Sequence, residues 1–281
     1  MMELSPYLDK HLPRENRFDR LLNCPGRIYR EVKHRRTLSF CVEGREFFIK
    51  VHRGCGWREI FKDLFQFRLP IVSAEPEWKA IELCERVGIP TMKIAGRGLR
   101  GANPARRDSF LITEALQGMV SLEDLTKEWG GLSEIARTSL KRKLVKEVAL
   151  LARRFHSAGM NHRDFYICHF LVSNRDWNTW SPAEALTLHL IDLHRVQIRR
   201  SVPRRWLKKD LAALLFSAMD CNLSQRDLLR FLIHYKAGEA RNSLQTERGF
   251  WQQVLQDARN LYKGFHGKEP QEMARFKLGR S

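Results

Sequence analysis

The 281-residue chain has no run approaching the ~20 consecutive apolar residues that a membrane-spanning helix requires. Its opening stretch, MMELSPYLDKHLPRENRF, lacks the apolar core of a secretion signal, so residence in the cytoplasm is the expectation. The six cysteines, at positions 24, 41, 55, 84, 168 and 221, form no C-x-x-C pair. That spacing indicates neither a zinc ribbon nor a disulfide framework and leaves reduced, partly buried thiols. Histidines 156, 162, 169, 189 and 194 cluster without any zinc-site spacing such as H-E-x-x-H. No segment repeats itself. Carboxylates are scarce: 32 Asp and Glu face 50 Lys and Arg, for a formal charge of +18. Such a field predicts polyanionic company: nucleic acid, an anionic membrane face, a phosphorylated substrate or an acidic protein. No nucleic-acid-binding motif is present, which argues against the first of these.

What is present suffices for a sizeable core, built as one large domain or two lobes, with 43% hydrophobic and 29% charged residues. Residues 1–26 are polar and mixed and are set apart as an N-terminal extension. From Arg27 the pattern turns strand-like: segments 28–32, 38–42 and 47–51, joined by a basic turn at 34–37 and a tight turn at 43–45, predict an antiparallel meander. Residues 57–69 read as a helix with Trp57, Ile60, Phe61, Leu64 and Phe65 on one face and Arg58, Lys62 and Arg68 elsewhere. That stripe suits core packing, and it also suits the surface of an anionic membrane. A helix over 75–87 ends at Gly88 and Pro90, a strand follows over 91–95, 96–107 reads as a Gly/Arg-rich turn, and 109–114 as a further strand.

The polar stretch 114–118 divides a strand-rich lobe, 27–116, from a helical lobe, 117–281. In the latter, Ser121 opens a short helix and Ser133 a long one. Leu140, Leu144, Val148, Leu151 and Phe155 recur along the long helix until Gly159 stops it. Helices over 208–220, 224–235 (with Ser224 as N-cap) and 248–265 precede a basic tail. The expected fold class is α+β: a protein-kinase-like two-lobed fold, with a small antiparallel-sheet N-lobe and a helical C-lobe.

Three residues carry the candidate chemistry. Lys50 ends the apolar run Phe47-Phe48-Ile49. Asp164 sits in His162-Arg163-Asp164, between the long helix and the apolar Phe170-Leu171-Val172. Asp192 is framed by Leu190, Ile191 and Leu193. A strand lysine, an H-R-D loop and an aspartate after a further strand, in that order, form the ordered signature of the protein-kinase fold. Asp164, with Arg163 beside it, is the candidate general base, accepting a hydroxyl proton as phosphate transfers. A buried Asp192 needs compensation, from a Mg²⁺ carrying ATP phosphates or from a cation such as Arg195. Lys50, held by Glu77 or by its rival Glu75, is a candidate phosphate clamp.

The departures from the kinase pattern are equally specific. No G-x-G-x-x-G precedes Lys50; in its place Lys33-His34-Arg35-Arg36-Thr37 offers Arg35 and Arg36 as bidentate phosphate forks. Glu114, at the lobe boundary, completes the expected nucleotide site. His169 replaces the asparagine of the second metal, although Mg²⁺ prefers oxygen, and Leu193-His194 replaces Phe-Gly. The segment after Asp192 is short and basic, with Arg195, Arg199, Arg200, Arg204, Arg205, Lys208 and Lys209. It suits a non-peptide acceptor that already bears negative charge, with Arg195, Arg204, Arg205 and Lys209 as candidate contacts.

Tyr29-Arg30-Glu31, Arg35-Arg36-Thr37-Leu38, Glu77-Trp78-Lys79-Ala80-Ile81, the block NHRDFYICHFL from Asn161, Ile191-Asp192-Leu193-His194-Arg195 and Pro203-Arg204-Arg205-Trp206 with Lys209-Asp210-Leu211 have a combined likeness. Over about residues 27–235 the chain resembles the lipopolysaccharide core heptose (I) kinases of Gram-negative bacteria. The resemblance implies a kinase-like fold, ATP with Mg²⁺, and phosphorylation of the first inner-core heptose at its 4-hydroxyl. It implies Asp164 as base, Lys50 and Glu77 as phosphate clamp, and Asp192 and His169 on the metal side. It also implies peripheral work at the inner leaflet of the cytoplasmic membrane, on an acceptor of lipid A bearing its core sugars. An acidic carrier protein is a further expected partner for the basic surface. Phe165 stands where family members often have cysteine. A paralogous kinase for another core sugar or for Kdo shares these motifs, and a non-catalytic kinase fold acting as a basic adaptor for an acidic protein is the competing class.

Overall fold

A computed structural model describes residues 1–65, 71–177, 179–181 and 183–270. Arg68, Leu69, the side chain of Leu64 and the basic tail fall outside the described residues. Contacts divide the chain into two compact units, residues 1–82 with 92–117 and residues 83–91 with 118–281.

The first unit is built on one antiparallel sheet. Its elements are β1 (Met2–Leu4), α1 (Pro6–His11), α2 (Arg17–Leu22), β2 (Arg27–Val32), β3 (Arg35–Val42), β4 (Arg45–His52), α3 (Gly56–Phe65), α4 (Glu75–Arg86, its last turn in the second unit), β5 (Ile94–Arg100) and β6 (Asp108–Glu114). The six strands run in the order β1-β5-β6-β4-β3-β2. The meander expected from alternation is there as β2-β3-β4, and Lys50 pairs with Thr37 on one side and Leu111 on the other. Leu38, Phe40, Phe47, Ile49, Val51, Phe110 and Ile112 form the core with Leu8, Leu21 and Leu22.

Two expectations are corrected here. The opening residues show no sequence period, yet β1 pairs with β5 and Leu8 is fully buried. The stretch from Gly96 to Arg100, expected as a turn, is strand β5. Its glycines are used for close approach: a Cβ on Gly98 would run into the Phe110 ring, and one on Gly96 would lie 2.6 Å from Leu4 Cδ2. Glycine in a strand marks such an approach as readily as it marks a turn.

The second unit holds β7 (Met119–Ser121), α5 (Leu122–Glu128), α6 (Glu134–Ser157), β8 (Met160–Asn161), β9 (Phe170–Ser173), β10 (His189–Leu190), β11 (Gln197–Ile198), α7 (Arg204–Ser217), α8 (Gln225–Tyr235), α9 (Ala240–Thr246) and α10 (Arg248–His266). The capping chemistry is as read: Ser121 and Ser133 accept from Asp124 N and Ala136 N, and Ser224 forms a capping box with Asp227. Leu140, Leu144, Val148, Leu151 and Phe155 line the buried stripe of α6. Gly159 follows at φ +80°, and a Cβ there would collide with the Arg199 carbonyl, which brings β8 and β11 together behind the H-R-D loop. No helix among the described residues is long and apolar enough to cross a membrane.

Candidate active site

In the first unit, alternation along β4 turns Lys50 away from the Ile49 core face, and its Nζ lies 2.6 Å from Glu77 Oε1 on α4. Glu77 is only 2% exposed, so its charge is compensated by this ammonium. The rival Glu75 pairs instead with Lys79 one turn along α4, at 2.7 Å. Arg35 and Arg36 occupy the start of β3, because the turn is confined to Lys33-His34, with Lys33 at φ +48°. Arg36 donates to the backbone carbonyls of Leu22 and Cys24, so its guanidinium caps the end of α2. Arg35 sits opposite His52, and Glu114 is exposed at the end of β6.

In the second unit, the loop after β8 carries His162, Arg163 and Asp164. A buried aspartate on α7, Asp210, holds it: Oδ2 accepts from His162 N at 2.6 Å and Oδ1 from Arg163 N at 2.9 Å. Asp210 is fully buried, and His156 Nε2 lies 3.3 Å from its Oδ2. These bonds stabilise Arg163 at φ +75°, a conformation costly for a non-glycine residue. His162 donates from Nε2 to the Ile191 carbonyl at 3.0 Å and so ties this loop to the segment bearing Asp192. Burial, reinforced by nearby His169, pushes the His162 pKa down to about 4.

Asp164 receives the Arg195 guanidinium, with Nη1 2.6 and 2.9 Å from its two oxygens. Arg195, expected as an acceptor contact or as the partner of Asp192, is therefore the partner of Asp164. Asp192 follows β10, which Thr91 anchors by donating to the Leu190 carbonyl at 2.6 Å. Its backbone is left-handed at φ +61°, and its side chain is 32% exposed. Its Oδ1 lies 2.8 Å from His194 Nδ1 and its Oδ2 3.7 Å from His169 Nε2.

His169 links the two aspartates. Its Nδ1 donates to the Asp164 carbonyl at 2.7 Å, because a carbonyl only accepts. Its Nε2 faces Asp192 Oδ2 at 3.7 Å, and imidazole and carboxylate are both groups that can coordinate a divalent ion. The donor set fits a divalent ion carrying phosphate oxygens, which needs only one or two protein ligands. Among the described residues no group of three or more potential metal ligands gathers, here included, so the protein would supply only part of such an ion's coordination.

The remaining basic residues divide. Arg204 reaches Glu247 at 3.4 Å and Lys208 reaches Asp257 at 3.0 Å. Arg205 and Lys209 lie over the Trp206 ring. Cys168, inside the loop, is a thiol pushed up to about 11 by burial and is no nucleophile at neutral pH. Sequence reasoning assigned no role to Asp210 or Trp206; both stand well downstream of the loop they serve, and only folding joins them to it.

A strand lysine paired to a helix glutamate, and an H-R-D aspartate joined through one imidazole to a second aspartate, define the protein-kinase-like class of phosphotransferases. Comparison with known proteins narrows the class. Residues 19–235 match the model of the lipopolysaccharide kinase (Kdo/WaaP) family. The lipopolysaccharide core heptose(I) kinase WaaP of Pseudomonas aeruginosa is 45% identical over 240 residues, covering 85% of this chain and 87% of the relative. The WaaP of Escherichia coli K12 is 41% identical over 252 residues, 88% and 92% of the two chains. A solved structure of WaaP in complex with acyl carrier protein superimposes with a TM-score of 0.77 at 38% identity, covering 93% of this chain and 99% of that one. The chain belongs to the lipopolysaccharide kinase (Kdo/WaaP) family, with a protein-kinase-like fold and the activity of an ATP-dependent phosphotransferase.

Proposed function

We propose that this chain transfers the γ-phosphoryl group of ATP to the first heptose of the lipopolysaccharide inner core, at its 4-hydroxyl. The observation that carries this reading is the hydrogen-bonded frame of the two aspartate segments: His162 donates to the Ile191 carbonyl beside Asp192, and His169 donates to the Asp164 carbonyl. The acceptor hydroxyl donates its proton to Asp164, and Arg195 fixes that carboxylate in orientation. Lys50, positioned by Glu77, binds the α/β-phosphates. Asp192 and His169 would hold Mg²⁺, which supplies neutralisation of the charge on the phosphates. Asp164→Asn is expected to fold normally and to lose ~10²–10⁴-fold in phosphate transfer from ATP. Turnover within a few-fold of wild type would defeat the reading, and mass spectrometry of the core oligosaccharide from cells with and without the protein reads out the modified position.

Two partners belong to the same proposal. Helix α3 exposes Trp57 at 50%, Phe61 at 51% and Phe65 at 83%, with Arg58 and Lys62 beside them, which supports peripheral docking on the anionic inner leaflet. The solved relative bound to acyl carrier protein supports an acidic carrier protein as partner. An acyl carrier presents a hydrocarbon chain, and an apolar cavity of about 160 Å³ lined by Leu144, Val148, Leu211, Leu214, Leu228 and Val254 offers matching chemistry.

A further inference from the structure

Trp206, in the first turn of α7, is surrounded by positive charge. The Lys209 ammonium lies 4.9 Å from the centre of its ring system, and the guanidinium carbons of Arg205, Arg163 and Arg199 lie 5.3, 5.5 and 5.8 Å away. These four cations come from α7, from the residue beside Asp164 and from the segment after β11. Their neighbours Arg195, Arg204 and Lys208 each have a carboxylate partner. Among the described residues, none of the four has a salt bridge of its own. Arg199 donates only to the neutral acceptors Asn161 Oδ1 and Gln197 Oε1, at 2.6 and 2.7 Å.

One indole does not neutralise four cations. Cation–π attraction draws on a ring face that two cations already fill, while every pair of like charges at this range repels. The first turn of α7 adds to the same sign. Pro203 gives it no side-chain cap, and the helix dipole places partial positive charge there. The Trp206 indole N–H is also buried without an acceptor. Burial, and then the charges of Arg195 and Arg199, weaken the proton affinity of Arg163 against the opposing pull of the nearby Asp164 and Asp210 carboxylates. A bound oxyanion would offset the mutual repulsion of the four cations, accept from their N–H groups and meet the partial positive charge of the first turn of α7.

We propose that Arg163, Arg199, Arg205 and Lys209, gathered on Trp206, form a binding site for an acidic group of the phosphoryl acceptor, a sugar carboxylate or phosphate next to the hydroxyl that is phosphorylated. The proposal rests on Asp164 being the base that meets this acceptor, since Arg163 precedes it in the chain. It makes Arg163 a positioning and recognition residue, not a group that moves a proton.

The test uses the full chain, ATP and core oligosaccharide acceptor in three forms: untreated, with its carboxylates methyl-esterified, and phosphatase-treated. Arg205→Gln plus Lys209→Gln is expected to raise the KM for the untreated acceptor by roughly tenfold to a hundredfold, with kcat within threefold and KM for ATP unchanged. Wild type is expected to show the same rise with whichever treated form lacks the recognised group, and the variant no further rise with that form. Esterification and dephosphorylation therefore identify the group as carboxylate or phosphate. Without acceptor, the variant is expected to melt at the same temperature as wild type or higher, because repulsion is relieved. A fall in kcat at constant KM, an equal rise in KM for the neutralised acceptor, or a lower melting temperature would each overturn the site. Titration of inorganic phosphate followed by ³¹P NMR separates this proposal from the one beneath it. If no acceptor is phosphorylated, the assigned reaction fails, yet phosphate binding lost in the variant upholds the anion site and phosphate binding retained in it removes the site.

Discussion

His162 is a histidine that the fold keeps neutral. Its Nε2–H is committed to the Ile191 carbonyl, its loop nitrogen to Asp210, and burial pushes its pKa from the ordinary 6.5 down to about 4. The unfolded chain therefore binds an extra proton between those values. The stability this residue contributes is complete above the ordinary pKa and is lost as pH falls from there toward the folded value, on the order of 3 kcal/mol in all. Urea midpoints at pH 7.5 and at pH 4.5 should differ more for wild type than for His162→Gln. Equal differences would mean that the ring is charged inside the fold. The same paragraph of the chain shows how few atoms fix the loop: two carboxylate oxygens of Asp210 receive two successive backbone N–H groups and hold Arg163 in a left-handed conformation.

At the scale of elements, helix α3 is the clearest case of a pattern with two readings. Trp57, Phe61 and Phe65 recur at i, i+4 and i+8, which places them on one narrow face. A core stripe and a membrane-docking stripe have the same period. The structure buries Ile60 and leaves those three aromatics exposed, with Trp57 and Phe61 stacked at 5.7 Å between ring centroids. A fully buried aromatic is worth ~1.5–3 kcal/mol, so Trp57→Ala plus Phe61→Ala should weaken binding to vesicles of phosphatidylglycerol and phosphatidylethanolamine by at least about tenfold. Vesicle sedimentation unchanged in the double variant would remove α3 from the membrane contact. Strand β5 teaches a related lesson, because its glycines punctuate nothing and simply make room for Leu4 and Phe110.

For the whole molecule, the charge of +18 sets the terms on which partners meet it. An acidic carrier protein attracted by that field should lose affinity as salt rises. Going from about 0.05 to about 0.5 M shortens the screening length roughly threefold, and the dissociation constant should weaken by about tenfold or more in a calorimetric titration. An affinity independent of salt would assign the complex to apolar contact alone. Much of the molecule was legible beforehand. Hydrophobic period and capping residues announced the β2-β3-β4 meander, α6 with Ser133, and α8 with Ser224, since these depend on neighbours a few positions away. The order Lys50, Asp164, Asp192 announced a phosphotransferase. Sequence alone, then, determined most of the elements, the sign of the net charge and the candidates for chemistry, because all three are local properties of the chain. Tertiary structure decided which of them pair: Lys50 with Glu77 and not Glu75, Arg195 with Asp164 and not Asp192, Arg36 with backbone carbonyls, and four cations with one indole. Pairing depends on distances across the fold between residues far apart in the chain, and spacing along the chain does not encode those distances.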